Sequence, residues 1–266
     1  MTKTVACIIA RTTSVRLPLK VLRSLFEQYA VIDFIIERVK KVEMINDIYI
    51  CTSYEPVDDI LEDVARRNGV KIYRGDPTNI IERMLSVGEI ENADNLIRIT
   101  GDNPFVSFEY INDQIKALVN NKLDYIRLVD VPIGATAEVM TYDALKKCSR
   151  IMNQDYSEYL MLYMFDPENF KCGVIRPLDG DFSGQSITVD TKEDLKKAKD
   201  ILDSKSGGLF ISLSNIVDYL MAVKRDDDRK KESGFLIKLP EGKSVTVEDF
   251  NHDMQRRKQK SVLIQV

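Results

Sequence analysis

Between residues 4 and 121, short apolar runs alternate with longer segments whose apolar residues recur at helical spacing. No other feature narrows the fold as far. Strand candidates are 4–10, 47–52, 70–73 and 95–99, and helix candidates are 31–44, 56–68, 78–92 and 108–121. In 31–44, Ile32, Ile35, Ile36 and Val39 share one face, with Glu37, Arg38 and Lys40 on the other. Asn68-Gly69 supplies a left-handed cap that stops the second helix. Asp76-Pro77 starts the third, with Asp as cap and Pro in the first turn. This order predicts an α/β fold, a mostly parallel sheet flanked by helices on both faces. In such a sheet, ligands bind outside the carboxyl ends of the strands.

Beyond residue 122 the pattern becomes mixed. Tyr125–Val129, Ala137–Thr141, Lys171–Arg176 and Ser186–Asp190 read as short strands, and 142–150, 156–165 and 191–203 as helices. Ser204 to Gly208 is linker-like, 213–223 is helical, Lys224 to Glu232 is a charge run, and the end is rich in Lys, Arg and Gln. The expected division is therefore a domain over 1–203 and a C-terminal helical appendage over 204–266, used for packing or dimer contact. A partly ordered solvated tail is the alternative for 224–235.

Composition removes several function classes. A chain of 266 residues buries roughly three quarters of its unfolded surface and needs no disulfide or metal staple. The four cysteines (7, 51, 148 and 172) are widely spaced without a C-x-x-C pair, which argues against a zinc or redox motif. No apolar run approaches the roughly 18 residues of a membrane span, and 5–10 is too short for a signal peptide. A cytoplasmic location without membrane insertion is expected. The formal net charge of -4 argues against a nucleic-acid partner. With His252 the only histidine, histidine triads and HExxH metal sites are excluded, leaving carboxylates, cations, hydroxyls and a hard metal for chemistry.

Against that net negative charge, residues 1 to 26 contain no acid and five cations: Lys3, Arg11, Arg16, Lys20 and Arg23. The strand 4–10 runs directly into Arg11-Thr12-Thr13-Ser14-Val15-Arg16-Leu17-Pro18-Leu19-Lys20. Arginine makes bidentate phosphate contacts, lysine acts as a point charge, and the hydroxyls add donors. A polyanion such as a nucleoside triphosphate fits this loop; a solvated basic loop is the plainer reading. Two further strand candidates end in aspartate. In Arg98-Ile99-Thr100-Gly101-Asp102-Asn103-Pro104, Gly101 permits a sharp turn and Asp102 sits at the strand's carboxyl end, where one carboxylate suits magnesium; an ordinary Asp-Asn-Pro turn is the alternative. In Ser186-Ile187-Thr188-Val189-Asp190-Thr191, a capping box between Thr191 and Asp194 explains those two residues but not Asp190. Gly242-Lys243-Ser244 lacks the P-loop's first glycine, since Ile237 stands there. Asp179-Gly180-Asp181 matches a glycosyltransferase DxD but reads better as a solvated turn.

These motifs together resemble the spore coat polysaccharide cytidylyltransferases, relatives of the CMP-sialic acid and CMP-3-deoxy-manno-octulosonate synthetases. The similarity runs through Ile9-Ala10-Arg11, Ser14, Arg16-Leu17-Pro18, Lys20-Val21-Leu22, Tyr73-Arg74-Gly75, Arg98 to Asp102, Glu138-Val139 and Thr188 to Leu195, over roughly residues 3–203. It implies a nucleotidyltransferase (glycosyltransferase-A-like) fold, CTP and a sugar-type acceptor as partners, Mg2+ as cofactor, release of pyrophosphate, a role in surface-polysaccharide biosynthesis, and a homodimer. By position, the resemblance assigns the triphosphate to Arg11, Ser14, Arg16 and Lys20, with Lys20, Arg11 and Asp102 as the catalytic set. Asp102 and Asp190 would bind the metal. Thr52, Ser53, Arg74 and Thr100 would complete the nucleotide site, and Glu138 and Glu158 would face the acceptor.

Departures from the family pattern cluster in two places. Thr13, Val15 and Leu19 stand where the family has Gly, Thr and Gly, and a side chain at a close-approach glycine can push the backbone off a phosphate. Glu158-Tyr159-Leu160-Met161-Leu162 replaces the family's Glu-His-Val-Thr-Pro, so that either the acceptor differs from the usual sugar or the site is weakened. Two readings therefore compete with catalysis of cytidylyl transfer: a non-catalytic nucleotide-binding protein, and a metal-dependent glycosyltransferase using Asp179 and Asp181.

Overall fold

The computed structural model describes residues 2–204, 207–223 and 236–265. Eight strands form the main sheet: β1 (Thr4–Ile9), β4 (Asp47–Ser53), β5 (Lys71–Gly75), β6 (Asn95–Thr100), β7 (Tyr125–Leu128), β8 (Glu138–Thr141), β9 (Cys172–Ile175) and β12 (Val262–Ile264). Their order is β12-β9-β7-β8-β6-β1-β4-β5. β8 alone runs antiparallel to its neighbours β6 and β7; the other pairings are parallel. A small hairpin, β2 (Ser24–Phe26) with β3 (Tyr29–Ala30), follows the first loop.

The sheet is covered on both faces at its centre, where β1 is buried at every position. Val5, Cys7 and Ile9 of β1 face one core, shared with α3 (Ile80–Glu91), α5 (Tyr142–Ile151) and α6 (Leu160–Met164). Ala6 and Ile8 face the other, shared with α1 (Val31–Val39), α2 (Ile60–Asn68), α4 (Ile111–Asn120), α7 (Lys192–Ser204) and α8 (Leu213–Val223). Side chains alternate across a strand, so a doubly covered strand reads as a continuous apolar run.

Arg38 fixes α1 to both the segment that follows β6 and the later chain. Its guanidinium donates to the carbonyls of Val106, Leu209 and Ile211 and stacks over Phe108 at 4.7 Å. Burial brings its pKa down to about 10, against a smaller opposing pull from Glu109. α8 thereby joins the same core as the sheet.

Several elements differ from the sequence expectation. α1 ends at Val39, five residues short, because its last turn tightens into Lys41-to-Arg38 and Val42-to-Val39 bonds that turn buried Val42 inward. The 156–165 helix is instead a 3-10 segment, Gln154–Tyr159, kinked at Tyr156, followed by α6. Ser186–Asp190 is not a strand: it makes one bridge to Ile133 and crosses the sheet's carboxyl edge, where Val189 N–H donates to the Asp102 carbonyl. The C-terminal part is not purely helical. β10 (Leu236–Lys238) and β11 (Ser244–Thr246) form a hairpin, then α9 (Val247–Gln259) leads to β12, which extends the main sheet beside β9. α9 is held down by Arg257 on the carbonyls of Leu162 and Phe165 and by Lys258 on Asp130. The charge run Lys224–Glu232 and part of the 204–208 linker lie outside the described residues.

Candidate active site

The loop after β1 is anchored by a residue the sequence did not single out. Asp58, wholly buried, accepts from the backbone N–H and the hydroxyl of Thr12, both at 2.7 Å, and from the Ser53 hydroxyl at 2.5 Å. Burial alone would raise the Asp58 carboxyl; the Ser53 hydroxyl and Thr12 overcome it and hold the pKa below the ordinary value. Leu19 N–H closes the loop on the Thr12 carbonyl at 3.2 Å. Between these ties, Leu17 is buried while Val15 is fully exposed at the tip. Of the three departures from the family pattern, only Leu19 takes a left-handed backbone (φ 56°), a conformation that costs a non-glycine residue about 1–2 kcal/mol. Thr13 projects into solvent.

Across from the loop, two aspartates converge on one cation. Lys20 Nζ lies 2.6 Å from Asp102 Oδ2 and 2.8 Å from Asp190 Oδ1, and Arg16 reaches the same Asp190 oxygen at 3.1 Å. Gly101 makes this possible: its N–H donates to the Ile9 carbonyl at 2.8 Å, and a Cβ there would stand 3.0 Å from both that oxygen and the Ala10 Cβ. The exits of β1 and β6 can therefore touch, bringing Asp102 against the loop. Asp190 is oriented by Asp194, whose carboxylate caps the N–H groups of Asp190 and Thr191; the capping box is formed, and it holds Asp190 in place. Burial would lower the Lys20 ammonium, yet Asp102 and Asp190 raise its pKa above the usual lysine value. Burial would raise Asp102, yet Lys20 and the Thr100 hydroxyl hold it below the usual carboxylate value.

The remaining candidates are distributed differently. Ser14 sits in the loop and caps Leu17 N–H at 3.3 Å. Arg11 leans away from Lys20, donating to the Pro77 carbonyl at 2.9 Å. Thr52 and Ser53 are buried at the end of β4, with Ser53 committed to Asp58. Arg74 is saturated by Glu62 at 2.5 Å, Asp59 at 2.6 Å and the carbonyls of Ser53 and Glu55. Glu138 is buried in an ion pair with Arg98 at 2.5 Å and accepts from the Tyr125 hydroxyl at 2.8 Å. Glu158 is exposed; its neighbour Ser157 fixes that segment, bonding to the Thr78 carbonyl and Ile80 N–H. Asp179 and Asp181 are exposed on a turn where Asp181 caps Ser183. Gly242 and Lys243 lie in the hairpin turn between β10 and β11 and Ser244 begins β11, with Lys243 paired to Glu241.

Arg83 was not foreseen. It is 1 % exposed, donates to the Cys51 carbonyl at 3.1 Å, and carries a buried Nε without a partner. Burial, and secondarily the nearby Arg11 charge, lower its pKa. The signal was a cation inside the apolar stripe Ile80, Ile81, Met84 and Val87. A cavity of about 560 Å³ opens elsewhere, between α6 and the C-terminal hairpin and α9, and none of its lining residues belongs to the carboxylate cluster.

No group of three or more metal-ligating side chains exists among the described residues. Two carboxylates meeting at a single cation nevertheless fit magnesium, which takes one or two protein carboxylates and completes its shell with phosphate oxygens and water.

A cationic loop after the first strand and carboxylates at the carboxyl edge of a mostly parallel, doubly covered sheet define a nucleotidyltransferase of glycosyltransferase-A-like fold. The profile of the Cytidylyltransferase family matches residues 5–219. The spore coat polysaccharide biosynthesis protein SpsF of Bacillus subtilis is 30% identical over 229 residues, covering 79% of this chain and 91% of that protein. A cytidylyltransferase from Leptospira borgpetersenii superposes with a TM-score of 0.76 at 25% identity, covering 84% and 95% of the two chains. A CMP:2-keto-3-deoxy-manno-octonic acid synthetase complexed with CTP shares the fold, with a TM-score of 0.61 at 18% identity over 76% of this chain and 99% of the other. The chain belongs to the cytidylyltransferase family and is a CTP-dependent nucleotidyltransferase. No helix among the described residues is long and apolar enough to cross a membrane.

Proposed function

We propose that this protein transfers CMP from CTP to a sugar or sugar-acid acceptor, releasing pyrophosphate, in the biosynthesis of a surface polysaccharide. The observation that carries the reading is the convergence of Asp102 and Asp190 on Lys20 beside the Arg11–Lys20 loop. A cationic loop faces the negative charge of a triphosphate, and two carboxylates face its metal. The four cysteines are free and buried, as suits a reducing cytoplasm where such a protein would work.

In this mechanism an acceptor hydroxyl attacks the α-phosphorus of CTP. The new oxygen–phosphorus bond forms as the bond from the α-phosphorus to the bridging β-phosphate oxygen breaks, and the hydroxyl proton passes to water. Arg16, Ser14 and Lys20 hold the triphosphate in line for attack and stabilise charge on the departing pyrophosphate. Arg11 approaches from the side of Pro77, next to Arg83. Asp102 and Asp190 would hold Mg2+, which when bound neutralises phosphate oxygens. Thr100 steadies Asp102, and Asp58 steadies the loop. Glu138, paired to Arg98, and exposed Glu158 belong to the acceptor side in this reading, as the family resemblance implies. A homodimer, implied by the family resemblance, belongs to the same proposal and is tested by sedimentation of the full chain.

The deciding experiment measures pyrophosphate from CTP and Mg2+ with a panel of neutral sugars, octulosonic acids and nonulosonic acids. Release with at least one acceptor, accompanied by a CMP-sugar in the mass spectrum, is expected. CTP that raises the melting temperature while no acceptor yields pyrophosphate would leave a nucleotide-binding protein without transferase activity.

A further inference from the structure

The cation held by Asp102 and Asp190 belongs to the protein itself. Lys20 Nζ is within 2.8 Å of one oxygen from each carboxylate, so it occupies the point on which both groups converge. Arg16 adds a second positive group at the same Asp190 oxygen. The carboxylates cannot readily part to admit another ion. Val189 N–H donates to the Asp102 carbonyl at 2.8 Å, and Asp194 caps Asp190, so the two aspartates are tied through their backbones. The Lys20 side chain is only 16% exposed. It rises from a short 3-10 turn, Lys20–Leu22, secured by buried Leu17 and Val21.

We propose that Lys20 is an internal counter-ion that makes divalent-metal capture depend on nucleotide. Mg2+ gives up its water reluctantly; to take Asp102 and Asp190 in the free protein it must also displace an ammonium already paired to both. An incoming triphosphate changes the balance. Its oxygens offer Lys20 and Arg16 new anionic partners, and the lysine's long flexible stem lets the ammonium move while the aspartates stay. The carboxylates are then released to a metal that arrives with, or after, the nucleotide. By linkage, any such gain in metal affinity from nucleotide is matched by an equal gain in nucleotide affinity from metal. The inference deepens the proposed function and rests on its placement of triphosphate and metal at this site. It adds that the free protein is a poor metal binder because Lys20 competes for the same two oxygens.

The test uses manganous ion alone, with no nucleotide, titrated into the full chain and followed by the electron paramagnetic resonance of the free ion. Replacing Lys20→Met should tighten Mn2+ binding by about tenfold, a typical coupling between sites. Lys20→Gln, which keeps a neutral donor and guards against misfolding of the first variant, should tighten it as well. Lys20→Arg should bind as the wild type does, since a cation remains. Adding Asp102→Asn to Lys20→Met should return the affinity to the wild-type level. The idea fails if both neutral variants, shown folded by circular dichroism, bind Mn2+ no better than wild type, or if the tightening survives loss of Asp102. Because CTP is absent, this outcome is separate from that of the transfer assay: tightening without any pyrophosphate would sink the transferase reading and leave the counter-ion role standing.

Discussion

Two ionised clusters stand on the sheet, in the region of its carboxyl edge, and they are built in opposite ways. In the Lys20 cluster one ammonium is shared by two carboxylates that are each about a quarter exposed. In the Glu138 cluster one carboxylate is closed by one guanidinium and a tyrosine hydroxyl, and is 6% exposed. The first opens to solvent, so its partners can be exchanged. The second is matched in charge and sealed by Tyr125, so it can only be kept or broken. Carboxylates of similar appearance in the sequence thus sit in different settings, one pair open to solvent and the other carboxylate tying β6, β7 and β8 together.

Substitution tests this contrast directly. Asp102→Ala should lower pyrophosphate release by roughly 1,000-fold, the upper range for removal of one group that stabilises transition-state charge, with little loss of stability in urea unfolding. Unchanged CTP turnover in that variant would remove the metal role from Asp102. Glu138→Gln should do the reverse in urea, costing about 3 kcal/mol because Arg98 is left buried without its counter-charge. A stable Glu138→Gln protein would show that the two clusters are not different in kind.

Acid separates them more finely. Burial pushes Glu138 up and Arg98, with Arg127, pushes it further down, so its folded pKa lies below the ordinary 4.5. Such a group adds stability that is complete above the unfolded value and is lost as pH falls through the folded one. Urea midpoints should therefore decline below about pH 4.5, and Glu138→Gln should flatten that decline. Asp102 is also held low, but its exposed edge admits water, so Asp102→Ala should flatten the decline less. The smallest effect is expected at Leu19→Gly. Removing the side chain relieves a left-handed backbone worth about 1 kcal/mol, partly offset by the greater freedom of glycine in the unfolded chain. A rise of a few degrees at most in the melting temperature, with activity retained, would show that the loop tolerates its departure from the family pattern through strain at this one residue.

Much of the fold was legible because it rests on local periodicity. Continuous apolar runs marked β1, β4 and β6, helical spacing marked α1 to α4, and caps such as Gly69, with φ 62°, marked where helices end. Asp102 was legible for the same reason, since position after a strand places a residue at the sheet's carboxyl edge; Asp190 reaches that edge on a non-strand segment, through the Ser186 bridge to Ile133 and the Val189 bond to Asp102. Asp58 and Arg83 were not. Each has its meaning from partners distant along the chain, Thr12 for one and Cys51 for the other. Ser186–Asp190 was misread as a strand because an apolar run says nothing of whether a neighbouring strand is there to pair with it. Arg74 matched a motif, yet its donors are consumed by Glu62 and Asp59, which no motif records.

The amino-acid order by itself determined the alternating α/β plan, the cationic loop after β1, and Asp102 at the end of β6, because period, charge and strand-end position are properties of neighbours along the chain. Only the tertiary structure decided which carboxylate meets which cation. Gly101 lets two strand exits touch, and Lys20 then falls between Asp102 and Asp190 while Glu138 is shut behind Arg98. Ion pairing acts over a few ångströms of space, and those separations are set by how the strands stack rather than by their order in the chain.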